Sequence, residues 1–254
     1  MRMWVFNKML ASIGIGNAKV DTKLEKSQYT LGETVSGIID VQGGTVEQKI
    51  DEIYLTLHTN YEVENDDHTY QKTATINRYL ITQPFVIGPN ETKEIPFSFQ
   101  LPFETPLTYG KTKIWIKTGM DIKNAIDPTD QDYIRVVANP LIDSVLHAVK
   151  ELGFRLREVD CEEAPFRFRT YAPYFQEFEF VPVSGAFRGH LKELEFVFFV
   201  KNDQALEVLV ELDRKSRGLA ALFGDSEKNV RLSLTSHDIP NMKHRINDFL
   251  IRYI

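Results

Sequence analysis

The stretch that most constrains the fold is residues 95–102, IPFSFQLP. Its apolar residues recur at every second position, so a β-strand would place them all on one buried face: Ile95, Phe97, Phe99 and Leu101. Proline has no backbone N–H to donate, which restricts Pro96 to a sheet edge and lets Pro102 end the strand. The segment therefore predicts a strand of a β-sandwich with one face in the core.

A second signature, residues 29–37 (YTLGETVSG), places a glycine turn in front of a strand. The two segments together resemble the N-terminal half of an arrestin domain. Further matches extend along the chain, at residues 10–16, 43–44, 112–119, 121–128, 211–214 and 217–218. On these residues the chain resembles the bacterial sporulation-control family of arrestin-like proteins (stage zero, protein M). The resemblance implies a soluble bacterial regulator without known chemistry, built from two tandem β-sandwich domains.

The order of patterns along the 254 residues also predicts two domains. Strand patterns separated by turn signals run from Ala18 to Val137, and residues 138–140 (ANP) interrupt them. Helical spacing follows to Gly153, then a second strand-rich block that closes with a helix capped by Asp238. We predict a mainly β chain of two tandem arrestin-like β-sandwich domains with short N-terminal, linker and C-terminal helices. The domains are 1–137, with an N-terminal amphipathic helix, and 141–254, with the C-terminal helix.

Composition narrows the function classes. The chain has 43% hydrophobic and 26% charged residues, as in ordinary globular proteins. Its net charge of −6 argues against nucleic acid as a partner, because such binding depends on neutralising phosphates. Cys161 is the only cysteine, which fits a reducing compartment. The sequence also lacks a convincing export signal and an apolar run of membrane-spanning length, so we expect a cytoplasmic protein.

No motif for catalysis stands out. The sequence has no dinucleotide or phosphate-binding loop and no histidine spacing typical of a metalloprotease. Residues 127–132 (DPTDQD) carry oxygens that calcium could use, but they lack EF-hand spacing, and a capped turn between strands is the favoured interpretation. We predict a non-enzymatic protein with no catalytic residues, no metal and no cofactor.

The strongest candidate for a binding surface is a lysine-rich strand. In a strand, Lys111, Lys113, Trp115 and Lys117 share one face, while the intervening residues form an apolar β-branched face for the core. Three ammonium groups around an exposed indole could bind an acidic or phosphorylated segment. The alternative is a solvated face on which the lysine stems shield the indole.

Two other segments carry apolar side chains that must be buried against another surface. One joins Arg214, Lys215 and Arg217 to Leu219, Leu222 and Phe223, and the chain itself, a homodimer mate or a separate partner could cover it. The other is the N-terminal helical stripe of Trp4, Phe6, Met9, Leu10 and Ile13. For this stripe we favour packing on protein over a weak membrane contact, because so short a helix with one or two cations adheres poorly.

These observations predict an arrestin-like regulatory scaffold that binds other proteins on its sandwich faces and exposed sheet edges, and that forms a homodimer. By resemblance, its partners belong to sporulation or cell-cycle control. The alternative function is a sensor that binds an acidic or phosphorylated small ligand at the seam between the domains.

Overall fold

The structure, a computed structural model, describes residues 17–65, 68–123, 126–166, 172–213 and 230–253. Its strands are β1 (Lys19–Leu24), β2 (Gln28–Thr30), β3 (Thr34–Gln42), β4 (Gln48–Asn65), β5 (His68–Leu80), β6 (Phe85–Ile87), β7 (Thr92–Gln100), β8 (Ile114–Ile122), β9 (Thr129–Val137), β10 (Phe154–Glu163), β11 (Tyr174–Pro182), β12 (Glu193–Asn202), β13 (Ala205–Asp213) and β14 (Val230–Thr235). The helices of these residues are α1 (Pro140–Glu151) and α2 (Met242–Leu250), and 3-10 turns at Ser236–Asn241 and Ile251–Tyr253 flank α2. The predicted mainly β class with few helices is confirmed.

The described strands form two sheets. In the smaller sheet β3 pairs antiparallel with β1 on one side and β7 on the other. The larger sheet has the order β14-β13-β12-β11-β10-β4-β8-β9-β2, and β5 and β6 both pair with β4. Strands β4 and β10 run parallel and share one paired position, Glu62 with Glu162. That position joins the strands before α1 to those after it.

The core between the two sheets follows the period-two pattern of the sequence. Val35 and Ile39 of β3 are fully buried, as are Ile114 and Ile116 of β8. The hydroxyls of Thr22 (β1) and Thr118 (β8) lie 2.6 Å apart and link the two sheets inside this core. Both phenylalanines predicted for it, Phe97 and Phe99, are buried.

Two helices pack together behind the second half of the large sheet. Asn139 caps α1, since its side-chain oxygen accepts a hydrogen bond of 2.9 Å from the backbone N–H of Ile142. Helix α1 contacts both α2 and β10. The last helix, α2, buries the side chains of Met242, Ile246, Phe249 and Leu250. The division into domains 1–137 and 141–254 stays a prediction.

Candidate functional site

Side chains alternate between core and solvent along the predicted lysine-rich segment. Thr112, Ile114, Ile116 and Thr118 are buried; Lys111, Lys113 and Lys117 are exposed; and Trp115 is half-buried. Strand β8 begins only at Ile114, because the chain before it turns, with the N–H of Thr112 donating to the carbonyl of Tyr109 at 2.9 Å. The outward direction of these side chains agrees with the prediction, but Lys111 lies in the turn.

An aromatic row crosses the outer face of three neighbouring strands. His58, Trp115 and Tyr133 occupy directly paired positions on β4, β8 and β9. The rings of His58 and Trp115 stack at 5.5 Å, and the rings of Trp115 and Tyr133 lie 6.0 Å apart. Tyr133 is 59% exposed, so one end of the row is open to a partner.

The hydroxyls of two threonines hold the His58 ring in this row. Thr56 lies 2.7 Å from its Nε2 and Thr75 lies 3.3 Å from its Nδ1. Burial and, to a smaller degree, the nearby Lys117 lower the pKa of His58, so the stacked imidazole is neutral at pH 7. The positive charge of the surface therefore comes from lysine and arginine.

Three exposed cations surround the aromatic row. In the sheet, Lys117 of β8 lies between its strand neighbours Thr56 on β4 and Gln131 on β9, which are both uncharged. Lys113 and Arg135 flank the paired isoleucines 114 and 134, and the backbone N–H of Lys113 donates to Asn60 at 2.6 Å. Within the described parts of the chain, none of these three side chains forms an ion pair. We call His58, Lys113, Trp115, Lys117, Tyr133 and Arg135 the cationic face.

Lys111 belongs to a different environment. Its Nζ lies 3.2 Å from a carboxylate oxygen of Glu62, which also accepts a hydrogen bond of 2.8 Å from Gln71. The hydrogen bond to Glu62 is the main cause that raises the pKa of Lys111, and the charges of Asp160 and Glu158 act in the same direction. Lys111 is therefore neutralised locally and is not part of the cationic face.

The second half of the large sheet carries the opposite charge. Carboxylates occupy directly paired positions on four consecutive strands: Glu158, Glu179, Glu195 and Glu211. A bulge in β10 projects Arg157, whose guanidinium pairs with both Glu179 and Glu193. Next to this row, burial and a hydrogen bond to Glu195 hold the pKa of Glu177 well above its ordinary value. Sequence reasoning missed this row because the strand register decides which glutamates meet.

The remaining predicted site residues lie outside the described residues. These are Arg214, Lys215, Arg217, Leu219, Leu222 and Phe223 after β13, and the N-terminal stripe of Trp4, Phe6, Met9, Leu10 and Ile13. In the part of the chain that the structure covers, no three histidine, cysteine, aspartate or glutamate side chains are placed to hold a metal ion. Neither described helix has the length and apolar character needed to cross a membrane.

Sheet order and packing define a mainly β protein, with two sheets and few helices among the described residues. Residues 6–216 match the sequence model of the family described as SpoOM protein. The sporulation-control protein Spo0M of Bacillus subtilis (strain 168) is 45% identical over 241 residues, which cover 93% of each chain. The crystal structure of that species' Spo0M superposes with a TM-score of 0.87 at 42% identity, covering 94% of this chain and 100% of the other. The chain therefore belongs to the Spo0M family, which confirms the resemblance found in the sequence.

Proposed function

We propose that this chain is a non-enzymatic regulatory scaffold of sporulation control, and that it binds acidic segments of partner proteins on the cationic face. Membership of the Spo0M family supports the regulatory role. The observation that supports the binding mode is the aromatic row of Trp115 and Tyr133 between three cations that have no ion pair within the described residues.

Two kinds of side chain on the cationic face contribute to binding in different ways. Lys113, Lys117 and Arg135 attract an acidic segment over about a Debye length, which is roughly 8 Å at physiological salt. Trp115 and Tyr133 then offer aromatic surface, the residue type most often found at the energetic centre of interfaces. A solvated face of the same composition would bind no acidic segment, so the two interpretations differ in measurable binding.

A genetic test addresses both parts of the proposal. The chain is expressed in a Bacillus subtilis strain that lacks its own spo0M, and sporulation frequency is compared with that of the parent strain. We expect the wild-type chain to restore the parental frequency and the double reversal Lys113→Glu/Lys117→Glu to fail at equal protein abundance. The matched control, Lys19→Glu/Lys192→Glu, makes the same change in net charge at exposed positions elsewhere and should restore the frequency fully.

The outcomes separate the role from the site. Failure of the abundant wild-type chain to change sporulation would contradict the regulatory role. Full restoration by the Lys113→Glu/Lys117→Glu variant would contradict the use of the cationic face.

Binding kinetics provide a second readout once a partner is captured by a photo-crosslinking residue at position 133. The double charge reversal should slow association and flatten its salt dependence, because it removes steering. Trp115→Ala should mainly speed dissociation and weaken binding by about 2 kcal/mol. Equal rate constants for all variants would show that the cationic face is only a solvated surface and does not bind the partner.

A further inference from the structure

The large sheet opens into a cavity where β11 and β12 separate. The two strands pair over four positions, from Glu177 with Val197 to Phe180 with Leu194. Strand β11 begins before this ladder and β12 continues beyond it, to Asn202. The gap between them, lined also by residues 103–107 and by Ile142 of α1, has a volume of about 620 Å³. Small-molecule sites typically have volumes of roughly 300–1,000 Å³.

Hydrogen bonds fix the walls of this cavity in place. The side-chain amide of Gln176 accepts from the backbone N–H of Leu107 at 2.8 Å and donates to the carbonyl of Leu107 at 2.7 Å. The hydroxyl of Tyr174 donates to the backbone carbonyl of Glu104 at 3.2 Å. A cavity held in this way does not depend on a ligand to form. Binding to a preformed site costs less free energy, because fewer side chains have to be ordered when the ligand binds.

The lining is mainly apolar and aromatic. It includes Leu31, Phe103, Ile142, Tyr174, Phe178 and Phe198. The rings of Phe178 and Phe198 meet edge to face at 5.1 Å, which fixes these two aromatic side chains relative to each other. Thr105, which is 3% exposed, also lines the cavity, and its hydroxyl has no hydrogen-bond partner within the described residues.

Four charged residues line the cavity, Glu104, Lys201, Glu207 and Arg231, so its positive and negative charges balance. Glu207 pairs with Lys201 at 3.2 Å and also with Arg231. The side chains of both cations are more than half exposed, so they mark the solvent side of the cavity. An anionic ligand would have to compete with Glu207 for each of them, which removes the main attraction for a phosphate or carboxylate.

From this lining we propose that the cavity binds an uncharged small molecule with fused or linked rings. The ligand class differs from the acidic or phosphorylated ligand that the sequence suggested for the seam, because the only cations among the described lining residues are already paired. Burial of ring surface provides the affinity, and the walls from β11, β12 and residues 103–107 provide the shape.

A matched pair of fluorescent probes tests the ligand class on the full chain. N-phenyl-1-naphthylamine is uncharged, and 8-anilino-1-naphthalenesulfonate has the same rings with a sulfonate added. We expect saturable binding of one uncharged probe per chain, with an affinity about tenfold higher than that of the sulfonate. Absence of saturable binding would overturn the proposal. So would tighter binding of the sulfonate that is lost in Lys201→Ala, since the site would then select anions.

Substitutions locate the bound probe. Val200→Phe adds a ring at the cavity wall and should weaken binding of the uncharged probe by about tenfold or more. Val86→Phe makes the same change in β6, at a position that is 54% exposed and does not line the cavity, and should leave binding unchanged. Equal affinity of the wild type and a folded Val200→Phe variant would overturn the assignment.

A measurement on the wild-type chain covers the case in which Val200→Phe does not fold. The uncharged probe should shift the methyl NMR signals of Ile142 and Leu107, which line the cavity, and leave that of Ile39 in the smaller sheet unchanged. A shift at Ile39 without one at Ile142 would place the probe elsewhere and overturn the proposal.

Discussion

Replacement of Glu177 by glutamine should make the protein more stable at neutral and alkaline pH. The Glu177 side chain is half-buried beside Glu195, and the charges of Glu162 and Glu211 add to the repulsion. These causes, burial first, raise its pKa, so the folded state holds a proton that the unfolded chain releases at pH 7. Glutamine keeps the shape and the hydrogen-bond donor but needs no proton.

The size of the effect follows from the ordinary pKa of a glutamate, 4.5. Above that value folding takes up one proton at this site, so the free energy of unfolding falls as pH rises, by about 1.4 kcal/mol per pH unit. At pH 7, which is 2.5 units above 4.5, protonation costs about 3 kcal/mol. Glu177→Gln should therefore match the wild type near pH 5 and exceed its stability by up to about 3 kcal/mol at pH 7.

Urea unfolding followed by circular dichroism between pH 5 and pH 8 measures both the difference and its slope. The control is Glu158→Gln, the same substitution on the neighbouring strand at an exposed position, which should change stability by less than about 0.5 kcal/mol. Parallel pH dependences for the wild type and Glu177→Gln would refute a proton retained on Glu177 in the folded state.

Three further predictions concern packing, capping and assembly. Phe99→Ala should destabilise the protein by about 3–5 kcal/mol in urea unfolding, because Phe99 is 8% exposed and stacks on Tyr79 at 4.1 Å; a loss below about 1 kcal/mol would contradict its place in the core. Asn139→Ala should cost about 1–2 kcal/mol in the same assay, since it leaves the buried N–H of Ile142 without its cap, and Asn139→Asp should retain most of the stability. Sedimentation equilibrium at micromolar concentration should show the homodimer predicted from the apolar segments, and a monomer would assign those segments to other contacts.

Local patterns in the sequence predict where strands lie along the chain, but they do not predict which strands pair with each other. The period of two agrees with the alternation of buried and exposed side chains along β3 and around Trp115. It misses β2 and β6, because strands of three residues are too short to show a period. The glycine turn before β3 is confirmed, with Gly32 at a φ of 84°.

The candidate site depends on register, which no single segment contains. His58, Trp115 and Tyr133 come from three separate strands and meet only because their positions pair. For the same reason, the sequence grouped Lys111 with the other lysines, whereas the fold places it beside Glu62. The cavity could not be predicted from the sequence either, since it arises where the backbone pairing between β11 and β12 ends.

The single paired position between β4 and β10 has a consequence for cooperativity. A one-position ladder gives neighbouring hydrogen bonds no mutual support, so the two parts of the large sheet do not protect each other through their backbones. Coupling between them passes instead through side chains, such as Gln176 on Leu107 and Phe178 on Tyr109. Amide hydrogen exchange should therefore report two weakly coupled units, and a change to that side-chain junction would weaken the coupling further while the backbone pairing of each strand is kept.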